Sequence, residues 1–98
     1  MPSYRVILTI GHLRPDVRPD ELLPRAADAA AELTTLEASS VNLVAGSARM
    51  TVRFAADEDD IARQVAHHVA ATTAASAEVV DWWITRGPGA RWKRIPAS

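Results

Sequence analysis

At 98 residues, with 48% hydrophobic side chains and a formal charge of -1, the chain has room for one domain around one core. Chains of this size bury roughly 60–70% of their unfolded surface, so no metal or disulfide staple is required, and the composition argues against disorder. Cysteine is absent, which excludes disulfides, thiolate metal sites, iron–sulfur clusters and thiol catalysis. The near-neutral balance of charge selects no class of partner. The opening run MPSYRVILTIGHLRP is too short in apolar residues for a secretory leader, and no stretch approaches the roughly 20 apolar residues of a membrane span. A cytoplasmic setting without a membrane partner is expected.

Taken in chain order, YRVILTIG alternates and is β-branched, giving a strand from Tyr4 to Ile10 that Gly11 ends. It is apolar on both sides at its centre, as an interior strand is. HLRPDVRP, with two prolines and scattered charge, is a loop. DELLPRAADAAAELTTLE spaces Leu22, Ala26, Ala29, Leu33 and Leu36 as one helical face, with Asp20 as cap and Pro24 tolerated in the first turn. Two short alternating runs around AGSA follow, and the Gly46-Ser47 pair supplies their hairpin turn. Met50, Val52 and Phe54 face one side of the second run, and Arg49, Thr51 and Arg53 face the other. DEDDIARQVAHHVAATTA opens on acids suited to a helix N-terminus, with Asp57 as cap and a stripe of Ile61, Val65, Val69 and Thr72. EVVDWWITR is the last strand of the domain, which spans residues 1–86.

Residues 87–98 form a basic tail or an extra edge strand packed on the same domain. All three tryptophans fall between Val79 and Pro96, with four cations and one acid. In RGPGAR, Pro88 and Gly89 suit the centre of a type II turn, which folds Arg91 to Ile95 back beside the last strand. Thr85 then lies opposite Trp92 and Trp83 opposite Arg94, with an arginine over an indole ring.

The order strand, helix, strand, strand, helix, strand resembles the ferredoxin-like split βαβ superfold. The resemblance covers residues 4–86 and implies an α+β sandwich, an antiparallel sheet of order 4-1-3-2 with both helices on one face. Alternation sends Val6, Leu8, Ile10, Val41, Leu43, Met50, Val52, Phe54, Val80, Trp82 and Ile84 toward the helices. The uncovered face keeps Arg5, Ile7, Thr9, Arg49, Thr51, Arg53, Asp81, Trp83 and Thr85.

Families that share this order supply tests of function. RNA-recognition domains stack bases on aromatics of the first and third strands; here Ile7, Thr9, Thr51 and Arg53 stand there, without the ribonucleoprotein signature. Acylphosphatases use a first-loop arginine and an asparagine, for which Arg14 or Arg18 and Asn42 are the nearest matches, but the glycine-rich loop is missing. Metal-chaperone domains of this shape need a Cys-x-x-Cys. ACT regulatory domains bind small effectors near a proline and an acid that LRPDVRPDELL echoes at Asp16 or Asp20.

His67 and His68 are adjacent on a helix and point about 100° apart, so they do not chelate one metal as an i, i+4 pair could. His12, Arg14 and Arg18 are the loop candidates, but His12 has no visible nucleophile or carboxylate partner. No catalytic residue, metal ligand or cofactor is assigned. The sequence therefore points to a binding module and away from catalysis, homodimeric through the uncovered face or an edge strand. Arg5, Ile7, Arg49, Arg53, Trp83, Trp92 and Arg94 are its interface candidates. Another protein is a second class of partner. Weak binding of single-stranded nucleic acid by the same face and tail, or an ACT-like effector site, are the alternatives.

Overall fold

The computed structural model describes residues 1–87 and 91–98. Its elements are β1 (Ser3–Leu13), α1 (Pro19–Leu33), β2 (Leu36–Val44), β3 (Ser47–Ala55), α2 (Asp59–Ala74), β4 (Ala77–Arg86) and β5 (Lys93–Ile95). The strands form one antiparallel sheet in the order β2-β3-β1-β4-β5. Read from the opposite edge this is the 4-1-3-2 arrangement, extended by a fifth strand beside β4. The fold is a ferredoxin-like α+β sandwich.

β1 is the centre because it is the strand whose alternation is most complete. Tyr4, Val6, Leu8 and Ile10 are buried on the helix side, where they meet Met50, Val52 and Phe54 of β3 and Ile84 of β4. Against this layer the helices present mainly alanine: Ala26, Ala29 and Ala30 from α1, and Ala62, Ala66 and Ala70 from α2. Small side chains bring the helix backbones close to the sheet, so a short chain still closes its core.

Local chemistry moves several boundaries. α1 begins at Pro19, whose missing amide costs little at the first helical position. Asp20 is therefore inside the first turn, where it pairs with Arg18 at 2.8 Å, and it is not the cap. Pro24 lies one turn further in than expected. α1 stops at Leu33, with the Thr34 amide bonded to the Ala30 carbonyl at 3.0 Å. The Thr34 hydroxyl is turned to the Ala55 carbonyl, and Leu36 starts β2 instead of continuing the helical stripe.

On α2 the buried face is Ala62, Val65, Ala66, Val69, Ala70 and Thr73, one residue on from the expected stripe at both ends, and Ile61 is left 37% exposed. Glu58, not Asp57, flanks the helix start, with no side-chain capping bond. The β2–β3 turn is Ala45-Gly46, with φ of 51° and 82°, so both central residues are left-handed as a two-residue hairpin requires. The turn is one residue earlier than the expected Gly-Ser pair.

Two bulges disturb the β1–β4 ladder. Thr9 pairs with Asp81 but Ile10 pairs with Val79, which leaves Val80 unpaired. The skipped residue reverses the parity: Val79 packs on the core, and Val80 is 61% exposed where alternation alone would bury it.

Candidate binding face

The sheet side that no helix covers is built from three crosswise rows. Ala38, Arg53, Arg5, Thr85 and Arg94 stand in register from β2 to β5. Ser40, Thr51, Ile7 and Trp83 form the next row, and Asn42, Arg49, Thr9 and Asp81 the third. Strict alternation in β1 and β3 puts every one of these opposite the buried set. The interface candidates Arg5, Ile7, Arg49, Arg53, Trp83, Trp92 and Arg94 are thus gathered on one face.

Each outward indole is held by two arginines. The guanidinium carbon of Arg5 is 3.8 Å from the Trp92 ring centre and that of Arg53 is 5.3 Å away. Arg49 and Arg94 stand 5.1 and 5.5 Å from the centre of Trp83. Indole faces attract cations through their quadrupole, and guanidinium groups stack on them with their N–H edges left outward. The tail is fastened by the same ring: a Cβ on Gly87 would come within 2.9 Å of Trp92 carbons, so the indole fits only because that residue is glycine.

The tail register differs from the expected one by two residues. Arg94 stands opposite Thr85 and Lys93 opposite Arg86, and parity is kept, so Arg94 and the indoles still share the open face. The expected Pro88-Gly89 turn lies outside the described residues. Beyond β5, the Pro96 carbonyl accepts from Arg63 Nε at 2.8 Å and the Ala97 carbonyl is 2.7 Å from His67 Nε2, which ties the chain end to α2. His67 also meets Trp82 edge-on at 4.8 Å, consistent with Trp82 packing toward the helix layer.

A polar hollow of about 310 Å³ opens over β2 and β3, lined by Ser40, Asn42, Thr51, Arg53 and Arg5. Ser40 and Asn42 were not singled out for this face by sequence reasoning; their pairing with Thr51 and Arg49 would have disclosed them. Glu37, also missed, binds Arg53 Nε at 3.0 Å and accepts from the Ser3 hydroxyl at 2.8 Å. The β2 bulge between Leu36 and Ala38 makes its position illegible to alternation.

The loop candidates make separate contacts. Arg14 donates its side chain to the Ala74 carbonyl at 3.3 Å, at the end of α2, and its amide to the Ser76 carbonyl at 2.8 Å. Arg18 is taken by Asp20, and that pairing lowers the Asp20 carboxyl below its ordinary range. His12 is exposed on an extended β1, its amide 3.3 Å from Glu78 Oε1. Among the described residues no cluster of three or more His, Cys, Asp or Glu could hold a metal. No described helix is long and apolar enough to cross a membrane.

A second hollow, apolar and about 550 Å³, lies on the helix side between the start of α1, the end of β1 and the β2–β3 hairpin. Its walls include Ile10, Leu13, Leu22, Leu23 and Met50, and its rim is Val41 and Leu43 of β2. Both rim residues point to the helix side, as alternation requires, but α1 does not reach over them: they are 51% and 80% exposed.

No protein-family model, curated protein or solved structure matches the chain. The sheet topology alone defines its class.

Proposed function

We propose that the protein is a non-catalytic interaction module that works as a homodimer, its two copies pairing along β2. The observation that carries this reading is the contrast between the two sheet edges. β5 is three residues long, carries Lys93 and Arg94 and is followed by Pro96, all features that discourage strand addition. β2 is nine residues long, and from Ala38 to Val44 it has neither charge nor proline. Among the described residues no strand lies beside its outward amides and carbonyls, and Val41, Leu43 and Val44 stand exposed along it. An edge of this length and polarity is a template for pairing with another strand.

A second copy fits because the strand can pair antiparallel with itself about a two-fold axis normal to the sheet. That operation keeps both helix layers on one side. Val41 and Leu43 of each copy then face those of the other over the rims of the apolar hollows.

Sedimentation equilibrium at micromolar concentration tests the reading. The wild type is expected at twice its 10.6 kDa chain mass. Leu43→Arg is expected to sediment as a monomer with an unchanged far-ultraviolet spectrum. A monomeric wild type, or a Leu43→Arg variant that stays dimeric, would overturn the proposal.

A further inference from the structure

The open face holds a row of like charges that the fold does not separate. Arg5 and Arg53 are direct cross-strand partners, and Arg94 stands in the same row beyond Thr85. Like charges directly opposite each other destabilise a sheet. Trp92 lies against both Arg5 and Arg53, which fixes the two guanidinium groups side by side instead of letting them splay. Glu37 reaches only Arg53 of the pair. Among the described residues, Arg5, Arg49 and Arg94 have no salt-bridge partner, and the Nε of Arg49 is buried without a hydrogen bond.

Guanidinium groups gathered without carboxylate partners attract anions. Ser40, Asn42 and Thr51 beside the Arg5–Arg53 hollow add neutral hydrogen-bonding groups. The row from β3 to β5 crosses three strand spacings, about 14 Å, which is wider than one phosphate can bridge. Where β4 ends beside β5, a further hollow of about 430 Å³ is lined by Arg86, Arg91, Lys93 and Arg94, which adds cations next to the end of this row. An extended track calls for phosphates in series. Among the described residues the face is a sheet without a projecting helix or ribbon, which suits a strand lying flat and not a duplex groove.

We propose that this face binds single-stranded nucleic acid through its phosphodiester backbone, with Arg5 and Arg53 holding one phosphate and Arg94 a later one. The indoles act first as supports for the guanidinium groups, and their edges border the path of the bases. The proposal does not depend on dimerisation through β2. Pairing there would nonetheless set both tracks on the same side of a continuous sheet.

The test is fluorescence anisotropy of a labelled 15-nucleotide oligothymidylate with the full chain, in 50 mM and 200 mM sodium chloride. Binding is expected to weaken with salt. Combined Arg5→Gln and Arg53→Gln is expected to weaken it at least tenfold and to flatten the log–log salt slope by about 0.7, the share of the one phosphate contact that the pair makes. Arg94→Gln, on the short edge strand and away from the Glu37 pair, is expected to weaken binding severalfold without touching the Arg5–Arg53 pair. Arg18→Gln, in the distant loop, should leave it unchanged. Absence of binding at 50 mM salt would overturn the proposal. So would equal binding by the Arg5, Arg53 and Arg94 variants, full competition by millimolar inorganic phosphate, or preference for phosphatidylserine vesicles over the oligonucleotide.

Discussion

Tyr4 shows how one side chain links the core to the start of a helix. Its ring is fully buried and stacks on Phe54 at 5.9 Å, while its hydroxyl donates to Asp59 at 2.7 Å. Burial first, and then the Asp59 carboxylate that the hydroxyl binds, push the phenol up from 10.0 to about 12. The native state thus keeps a proton that the unfolded chain releases. The resulting stabilisation is complete below pH 10, and it is lost as pH rises toward 12. Tyr4→Phe should cost about 1 kcal/mol in urea melts at neutral pH and should make stability less steep across that alkaline window. Ala45 offers the opposite sign. It occupies φ of 51° in the hairpin, a conformation that alanine adopts at a cost and asparagine tolerates. Ala45→Asn should raise stability by about 0.5–1 kcal/mol, read from the same melts, and a loss would show that the turn is not of this type. The turn was only half legible in AGSA, because Gly46 fits either central position and the neighbour that shares the strain is a residue without turn preference. The arginines of the open face were legible where alternation is unbroken, from Arg5 to Thr9 and Arg49 to Arg53.

Elements depart from the sequence reading where one residue resets the period. Val80 was assigned inward by counting twos along EVVDWWITR. The bulge opposite Thr9 and Ile10 spends one residue without a partner and hands its place to Val79. Nothing in the composition of that strand marks the bulge. The end of α1 was legible in hindsight, since Thr34 and Thr35 are β-branched and the threonine hydroxyl finds a carbonyl on β3, whereas the apolar spacing of Leu33 and Leu36 suggested another turn. Pro24 provides a test at this scale. It interrupts the second turn of α1 and leaves the Asp20 carbonyl without its helical amide. Pro24→Ala should therefore raise stability by about 1–3 kcal/mol, seen as a shift of the urea midpoint without a change of slope. A destabilised variant would mean that the proline positions the chain for the loop before α1 in a way that outweighs the lost bond.

For the whole molecule, the two sides of the sheet and its two edges carry different properties. The helix side closes a core with alanine-rich helices and leaves one hollow open beside β2. The other side displays guanidinium groups set on indoles. The edge at β5 is short and charged, while the edge at β2 is long, neutral and apolar along its helix-side flank. A chain whose charge is nearly balanced thereby sets four of its eleven cations, Arg5, Arg49, Arg53 and Arg94, on one surface, which the net charge could not disclose. The central claim is that β2 pairs with β2 of a second copy, and the absence of cysteine allows a single spin label at any chosen position. Ser40 lies at the middle of β2 and Lys93 on β5, at the opposite edge. Pulsed dipolar spectroscopy on Ser40→Cys and Lys93→Cys, each labelled, measures the separation between copies directly. Pairing along β2 gives a distance under about 20 Å at position 40 and, nine strand spacings apart, about 43 Å at position 93. The reverse order of distances, or no dipolar signal at position 40, would contradict it.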